Sequence, residues 1–409
     1  MARKIIVIAL VVFFCVGSAL AEDDPIIVGS SLPLTGPWAT SGETMIKAIE
    51  MAVEEYNAKG GLLGRQIKIV TGDTGGMMAE EVTAVAERLA ASDVDVILTG
   101  YGSLTNANIK VYGKYDFPYL TGPAYSVISD AIEEGMPETN NCFEYCWDEL
   151  TYGRGLLSEM FEVPKKIGWT PPNKKIATLK NDVSYNILPA ELFAEGAKRM
   201  GYELVVDEIT QIGKVDFGTV LTKLEREKPS FIFVSLITPE DAARFTIQFH
   251  ERFGKKGLEA IVVHQYACST PEFLELTGPE PAEGVINMYG AIRYHDPRVA
   301  EYIDRWVAKY KEKPFDTYAV HVRDAFEIWV QAVKRAGCVD CYDKVTRLIR
   351  ESTYDGMFGT YVFSPRDQTA LFGEYLLPLE WIQFQDGAPA MVSPERTKAT
   401  DYRKPPWIK

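Results

Sequence analysis

The chain has 409 residues, 46% of them hydrophobic and 11% aromatic, and a formal net charge of −14. That length exceeds what one hydrophobic core normally supports, so we expect two domains. The acidic balance argues against nucleic acids and anionic membrane surfaces as partners. It leaves room for an anionic ligand, because a buried site sets its own local field.

The N-terminus has the three parts of a secretion signal. The basic pair Arg3–Lys4 precedes an apolar run, Ile5–Val16, and the small-x-small site Ala19–Ala21 follows. The run is shorter than the roughly 20 residues that span a bilayer. We therefore predict cleavage near Ala21, export to the periplasm and no membrane insertion of the mature chain. Cys15 offers a lipoprotein alternative, although Phe14 is too bulky for the usual lipid-attachment signal.

Strand and helix patterns alternate from residue 26 onward. The buried strand 26–32 comes first, and helix 43–58 should begin at a capping box of Thr40 and Glu43 and end at Gly60–Gly61. Further strands are predicted at 66–70, 94–98 and 117–120, and further helices at 79–91 and from about residue 104. This βαβα order indicates a parallel sheet with helices on both faces.

The pattern restarts after a polar, proline-containing interval at 164–175. Strands are predicted at 176–179, 203–206, 231–236 and 260–263, and helices at 185–200, from Asp216, and at 239–253. Residues 297–350 are mostly helical, and short strand-like pieces follow at 359–363 and 375–382. The last stretch, 393–409, should wrap the surface or fray. Two similar α/β halves therefore lie in tandem.

Five cysteines remain after the predicted cleavage. Exported thiols tend to pair, and both Cys338–Cys341 and Cys142–Cys146 are close enough in sequence for a disulfide. The Cys-x-x-Cys spacing at 338–341 also suits a redox motif or half of a zinc site. No second such pair and no histidine cluster accompany it, so we expect no metal. We expect Cys268 to be buried.

Three motifs carry a resemblance to a known family. Residues 31–36 (SLPLTG), 57–61 (NAKGG) and 216–224 resemble the type I periplasmic binding proteins. Within these the chain is most similar to the leucine/isoleucine/valine-binding receptors of ABC importers. The resemblance covers nearly the whole mature chain, with the motifs in the family's order.

The resemblance implies two Rossmann-like lobes joined by three hinge crossovers, with the ligand between them. Carried over here, the first lobe comprises 22–145 plus 288–356, and the second 146–287 plus 357–409. The arrangement has a physical rationale, because ligands of doubly wound sheets bind beyond the carboxyl ends of the strands. Hinge closure then buries the ligand on both sides.

In the first lobe, loops after predicted strands supply the candidate contacts. In the family, the loop matching Gly100–Ser103 holds the ligand carboxylate with backbone N–H groups and a hydroxyl. The candidates are Ser41, Tyr101, Gly102, Ser103, Pro123 and Tyr125. The structural alternatives are a turn with an N-cap serine at Ser103, a packing aromatic at Tyr125 and simple helix capping at Ser41. Trp38 either lines the cleft or lies exposed in its loop.

In the second lobe the candidates are Tyr185, Gln265 and Tyr266. The family has an acidic residue near the last two, which pairs with the ammonium of an amino acid, and 263–269 contains none. Because a buried ammonium without a carboxylate is costly, an ordinary amino acid is a poor candidate unless Asp182 or another acid substitutes. The tyrosines suit a small amide, a carboxylic acid or an aromatic acid.

No catalytic motif is present in the sequence. The chain lacks a G-x-S-x-G elbow, a Walker A loop and an H-E-x-x-H pair, and the glycine-rich 72–76 does not match the dinucleotide fingerprint. We therefore expect no catalytic residues and no cofactor. The leading hypothesis is a receptor that delivers a small-molecule ligand to a membrane ABC permease complex. The alternatives are an exported sensor of the same fold for an amide or urea-type ligand and, third, an exported enzyme; the secretion signal favours the receptor.

Overall fold

The computed structural model describes residues 24–289 and 292–409. The predicted signal segment with its cleavage near Ala21, and Cys15, lie outside this part of the chain. The strands are β1 (Ile26–Leu32), β2 (Ile67–Asp73), β3 (Val96–Thr99), β4 (Tyr119–Thr121), β5 (Cys142–Glu144), β6 (Lys175–Asn181), β7 (Glu203–Thr210), β8 (Phe231–Ser235), β9 (Ile261–Gln265), β10 (Ile286–Met288), β11 (Tyr354–Asp355), β12 (Thr360–Tyr361), β13 (Trp381–Gln385) and β14 (Ala388–Ser393).

The helices occupy most of the intervals between these strands. They are α1 (Ala39–Asn57), α2 (Ala79–Ala90), α3 (Ala107–Tyr112), α4 (Ser126–Gly135), α5 (Leu150–Lys166), α6 (Ser184–Arg199), α7 (Gly218–Glu227), α8 (Pro239–Phe253), α9 (Pro271–Thr277), α10 (Pro279–Ala282), α11 (Pro297–Tyr310), α12 (Tyr318–Ala336) and α13 (Tyr342–Glu351). The predicted α/β architecture is confirmed.

The first sheet has five parallel strands in the order β2-β1-β3-β4-β5. Strand β1 lies inside it, and Val28 is in register with Ile69 on one side and Val96 on the other. Almost every residue of β1 is buried, as expected for a strand covered on both faces. Helix α12 packs against α1 and β3, so a late part of the chain returns to this sheet.

The second sheet has seven strands in the order β14-β13-β10-β9-β8-β6-β7. Strands β6 to β10 are parallel, and β13 and β14 add an antiparallel edge. The two-residue turn between β13 and β14 is Asp386–Gly387, with φ angles of 54° and 80°. Positive φ at both positions is what a tight hairpin turn requires, and it explains the Asp-Gly pair.

The chain passes between the two sheets three times: after β5, after β10 and between β12 and β13. The first and third crossings are joined by backbone hydrogen bonds. Glu144 N–H donates to the Gln368 carbonyl at 3.1 Å, and Ala370 N–H donates to the Glu144 carbonyl at 2.8 Å. The first and third crossings therefore form one hydrogen-bonded region.

Arg293 and Glu380 form a buried ion pair between the second and third crossings. Nε of Arg293 lies 3.3 Å from Oε1 of Glu380. The Glu380 side chain is fully buried, and burial raises its pKa to about 7 although the Arg293 charge acts in the opposite direction. The nearby Asp296 carboxylate adds to the rise.

This raised pKa predicts a pH-dependent contribution to stability. Because the pKa rises from 4.5 on folding, the contribution is complete below about pH 4.5 and is lost as the pH rises through 7. In Glu380→Gln this pH-dependent contribution should vanish. Between about pH 4.5 and pH 7, the wild-type free energy of unfolding should therefore fall relative to that of the variant. Urea unfolding at several pH values measures it, with Glu301→Gln on the exposed face of α11 as control. A pH-independent difference between Glu380→Gln and the wild type contradicts the assignment.

Most predicted strands and helices are present with shifted ends, but several details were wrong. Helix α1 already begins at Ala39, so Thr40 lies inside it and the predicted capping box does not form. Pro164 lies within α5 and not in a linker. Helices α4 and α5 and the short strands β5 and β14 were not predicted. The C-terminal stretch packs on the surface, where Trp407 is buried and its indole N–H donates to the Ala260 carbonyl at 2.9 Å.

Of the two disulfides left open by the sequence, the structure contains Cys338–Cys341, at the start of α13. The Cys142–Cys146 alternative is wrong: both thiols are free and buried, as is Cys268. Residues four apart in an extended segment are separated by about 13 Å, beyond the roughly 7 Å that a disulfide bridges.

Thiol titration tests this pairing. For a chain starting at residue 22, we expect three reactive thiols in denaturant without reductant and five after reduction. A single thiol before reduction would mean that Cys142 and Cys146 are paired after all.

Among the described residues, no helix is long and apolar enough to cross a membrane. In the same part of the chain, no group of three or more His, Cys, Asp or Glu side chains could hold a metal ion.

Candidate functional site

A cavity of about 520 Å³ lies where loops from the two sheets face each other. Its lining is Trp38, Met77, Tyr101, Ser103, Leu104, Pro123, Ala124, Tyr125, Tyr152, Tyr185, Ile237, Tyr266, Tyr289 and Tyr318. Most of these follow the carboxyl ends of β1, β3, β4, β6, β8, β9 and β10, which is where doubly wound sheets present ligand-binding loops.

The loop between β3 and α3 is fixed by close backbone packing. A Cβ at Gly102 would lie 2.4 Å from the Ser31 carbonyl oxygen, so only glycine fits there. The Ser103 hydroxyl donates to the Thr105 carbonyl at 2.7 Å and accepts from Thr105 N–H at 3.0 Å. Ser103 therefore lines the cavity while its hydroxyl holds the turn before α3, and Gly102 supports the loop without lining the cavity.

Aromatic rings form the walls. Tyr125 from the first-sheet side lies 5.4 Å from Tyr185 on the second-sheet side, measured between ring centroids. Tyr266 and Tyr289 are 5.3 Å apart, edge to face. Tyr101 has the same relation to Tyr318 at 4.8 Å, and to Trp38 at 6.3 Å. The seven tyrosines and Trp38 are called the aromatic cage below.

Tyr185 is held by a chain of buried hydrogen bonds behind it. The Asn186 amide donates to the Ser235 hydroxyl at 2.8 Å, which donates to Oε1 of Gln265 at 2.9 Å. Nε2 of Gln265 donates to the Tyr185 carbonyl at 3.3 Å. Gln265 therefore lies behind the cavity wall, where it positions Tyr185, and it is not part of the lining.

Two cage tyrosines have unusual backbone angles. Tyr266 has φ 61° and ψ −65°, and Tyr289 has φ 107°. Such conformations cost on the order of 1–3 kcal/mol each and persist only where the surroundings enforce them. At Tyr266 the enforcing contacts are a hydrogen bond from its N–H to the Met288 carbonyl at 3.0 Å and one from Ser269 N–H to its own carbonyl at 2.7 Å. Strain of this kind concentrates at binding sites.

A buried carboxylate, Asp316, lies behind the cage. The Ser41 hydroxyl donates to its Oδ2 at 2.7 Å, and Tyr318 N–H donates to its Oδ1 at 2.9 Å. Burial raises the pKa of Asp316 to about 6, and these two bonds oppose the rise. The pKa values of Tyr101 and Tyr266 are raised mainly by burial, and the negative charge of Asp316 raises them further.

The structure thus brings together six of the nine residues that the sequence singled out. Tyr101, Ser103, Pro123, Tyr125, Tyr185 and Tyr266 line the cavity. Ser41, Gly102 and Gln265 lie behind it. The acid suggested as a substitute, Asp182, is exposed, and the Gln211 amide reaches it only at 3.4 Å.

Sequence reasoning missed three cage tyrosines and the buried acid. Tyr289 follows β10, whose three residues are too short to produce a strand pattern. Tyr152 and Tyr318 lie in first turns of helices far apart along the chain. Asp316 precedes α12 and carries no motif. Of these missed residues, only Tyr289 directly follows a strand, which is the one signal by which the sequence could have indicated it.

Comparisons with known proteins agree with this geometry. A family model described as "Periplasmic binding protein" matches residues 25–380. Leu/Ile/Val-binding protein homolog 1 of Brucella suis is 24% identical over 378 residues, which cover 91% of this chain and 93% of that protein.

Solved structures are similar over the same span. A candidate branched-chain amino acid ABC transporter protein from Silicibacter pomeroyi superposes with a TM-score of 0.86 at 25% identity, covering 94% of this chain and all of that one. A solute binding protein of an ABC transporter from R. palustris, solved with benzoate, has a TM-score of 0.70 at 17% identity, covering 92% of this chain and 98% of that one. The second shows the fold alone.

Proposed function

The chain belongs to the periplasmic binding protein family, and we propose on that premise that it captures a small ligand in the aromatic cage and delivers it to an ABC permease. The family is one of binding proteins and not of enzymes. The single observation that carries the proposal is the cavity between the two sheets, lined by loops from both. Similar proteins support this role, since relatives are named Leu/Ile/Val-binding protein homologues and the similar structure from Silicibacter pomeroyi is named as a candidate branched-chain amino acid ABC transporter.

The proposed mechanism is capture by closure of two lobes. We assign the lobes to 22–145 plus 288–356 and to 146–287 plus 357–409. The first range holds β1 to β5, and the second holds β6 to β9, β13 and β14, while β10 and the β11–β12 pair lie across the boundaries at 287/288 and 356/357. Bending at the crossings would move the Tyr101 side of the cage against the Tyr185 side, so that the ligand is enclosed by both.

We propose that the six lining candidates contact the ligand directly, while Ser41, Gly102 and Gln265 support them. We further propose that the protein acts in the periplasm after cleavage near Ala21 and docks with a membrane permease complex. The acidic net charge, −14 for the full chain and more negative once Arg3 and Lys4 are removed, is consistent with a freely diffusing receptor in that compartment.

Binding and scattering measurements test the receptor function. Amino acids, amides, short carboxylates, aromatic acids and organic amines are screened by thermal shift, and hits are measured by calorimetry. A ligand at 100 times its Kd should add about 2.7 kcal/mol to the free energy of unfolding. We expect one-to-one binding, a smaller radius of gyration in solution scattering and recovery of the ligand unchanged. A chemically altered ligand, or binding without compaction, would overturn the receptor mechanism.

A further inference from the structure

The lining of the cavity is strongly aromatic and carries no charge of its own. Among the lining residues that the structure describes there is no Lys, Arg, His, Asp or Glu, and seven of them are tyrosines. The faces of aromatic rings bear partial negative charge. A ligand enclosed here therefore meets ring faces, hydroxyl groups and backbone, and no cationic side chain.

The charged groups just behind the cage are carboxylates. Asp316 acts on Tyr101 and Tyr266 from one side. Glu149 acts on Tyr125 from another, where it is buried and accepts hydrogen bonds from the backbone N–H and the hydroxyl of Ser126. Asp316 accepts a hydrogen bond from the backbone of Tyr318, and Glu149 accepts one from the backbone of Ser126, next to Tyr125. Both carboxylates therefore lie close to cage residues, and the field inside the cage favours positive charge.

Two basic side chains on segments that also carry cage or supporting residues are engaged elsewhere: Arg293 lies four residues after Tyr289, and Lys47 is on α1 with Ser41. Arg293 pairs with Glu380 and donates to the Met357 carbonyl. Lys47 pairs with Glu43 and Glu312. An anionic ligand would therefore lose its hydration on entering the cage without gaining a counter-charge, which is costly.

From the cage and its two flanking carboxylates we propose that the ligand is a small organic cation, whose quaternary or protonated amine head packs on the tyrosine faces. This inference rests on the proposed function and specifies its ligand class. Attraction between a cation and ring faces strengthens when water is excluded, as it is between closed lobes. Asp316 supplies the counter-charge from behind Tyr101 and Tyr266.

A charged and an uncharged molecule of the same shape provide the direct test. Choline carries a trimethylammonium group, and 3,3-dimethyl-1-butanol replaces its nitrogen by carbon. We expect choline to bind at least about tenfold more tightly than the neutral analogue, corresponding to cation–π attraction at a desolvated site. Equal binding of the two, or binding of the neutral analogue alone, would overturn the proposal.

The variant Asp316→Asn tests the counter-charge. It can keep hydrogen bonds to Ser41 and to Tyr318 N–H while removing the negative charge. We expect choline affinity to fall about tenfold and affinity for the neutral analogue to stay unchanged, a difference that a merely structural role would not produce. If the variant fails to fold, the comparison of the two compounds on the native protein decides alone.

Leucine and benzoate separate failure of this inference from failure of the receptor function. Binding and compaction with either, and no binding of choline, would overturn the cationic ligand and leave the receptor function intact. If none of the four compounds and no compound of the wider screen binds or compacts the protein, both proposals fall.

Discussion

Tyr185→Ala is expected to weaken binding of the ligand identified by the screen by about 30- to 1000-fold. The ring is 7% exposed and lies between Tyr125 and Tyr152, at centroid distances of 5.4 and 5.9 Å. Buried aromatic anchors of this kind cost about 2–4 kcal/mol when truncated, and each 1.4 kcal/mol is tenfold in Kd. Isothermal calorimetry on the native and variant proteins measures the change.

Two further variants show whether the ring itself is responsible. Tyr185→Phe keeps the ring and loses a hydroxyl whose bond to the Tyr152 hydroxyl is long, at 3.4 Å, so we expect less than a tenfold loss. Tyr375→Ala removes a tyrosine that is 72% exposed and outside the cavity, and should leave affinity unchanged. Unaltered affinity in Tyr185→Ala would remove this residue from the site.

Asp324→Ala should lower the free energy of unfolding by about 3 kcal/mol. The Asp324 carboxylate, on α12, accepts from the backbone N–H groups of Met357 and Phe358 at 2.9 and 2.8 Å and from the Tyr361 hydroxyl at 3.1 Å. All of these groups are buried or nearly so, and each loses its acceptor in the variant, at about 1–3 kcal/mol per unsatisfied group. Burial raises the pKa of Asp324 to about 6, which shows that the charged carboxylate is unfavourable there, so its removal offsets part of the loss.

Urea unfolding monitored by circular dichroism measures this effect at constant pH. Asp304→Ala, at an exposed position on α11, is the matched control and should change stability by less than about 0.5 kcal/mol. Asp324→Asn retains an acceptor for one or two of the donors. Its loss of stability should therefore lie between that of Asp324→Ala and that of the Asp304→Ala control. An Asp324→Ala protein as stable as the control would show that the segment 356–361 does not depend on this carboxylate.

The elements that were predicted with the correct ends are those whose local sequence pattern matches their burial in the structure. Strand β1 and helix α8 were predicted at Ile26–Leu32 and Pro239–Phe253, where the structure has them. Strand β1 is a buried run that ends before a loop containing Pro33 and Gly36, and α8 has apolar residues at helical spacing. Helix α8 begins with Pro239 after Thr238, whose hydroxyl accepts from Asp241 N–H. Short strands such as β5 and β10 were missed because three residues show no period.

The cysteine assignments show why spacing alone is insufficient. Cys338–Cys341 spans the tight connection from α12 to α13, where two helix ends bring the Cα atoms to 5.8 Å. Cys142 begins β5, the edge strand of the first sheet that pairs with β4, and Cys146 follows it in the core. The two pairs look equally close along the sequence, and only the backbone conformation distinguishes them.

The alternating α/β order, the family resemblance and six of the residues that line the cavity can be read from the amino-acid sequence. They can be read there because motifs and strand-end loops are local, and the strand ends of a parallel sheet meet at one edge. That Tyr152, Tyr289 and Tyr318 complete the cage, and that Asp316 is the acid behind it, is seen only in the folded chain. Those residues come from segments far apart in the chain. They meet because the chain crosses between the sheets three times, and long-range packing of that kind leaves no periodic trace in the sequence.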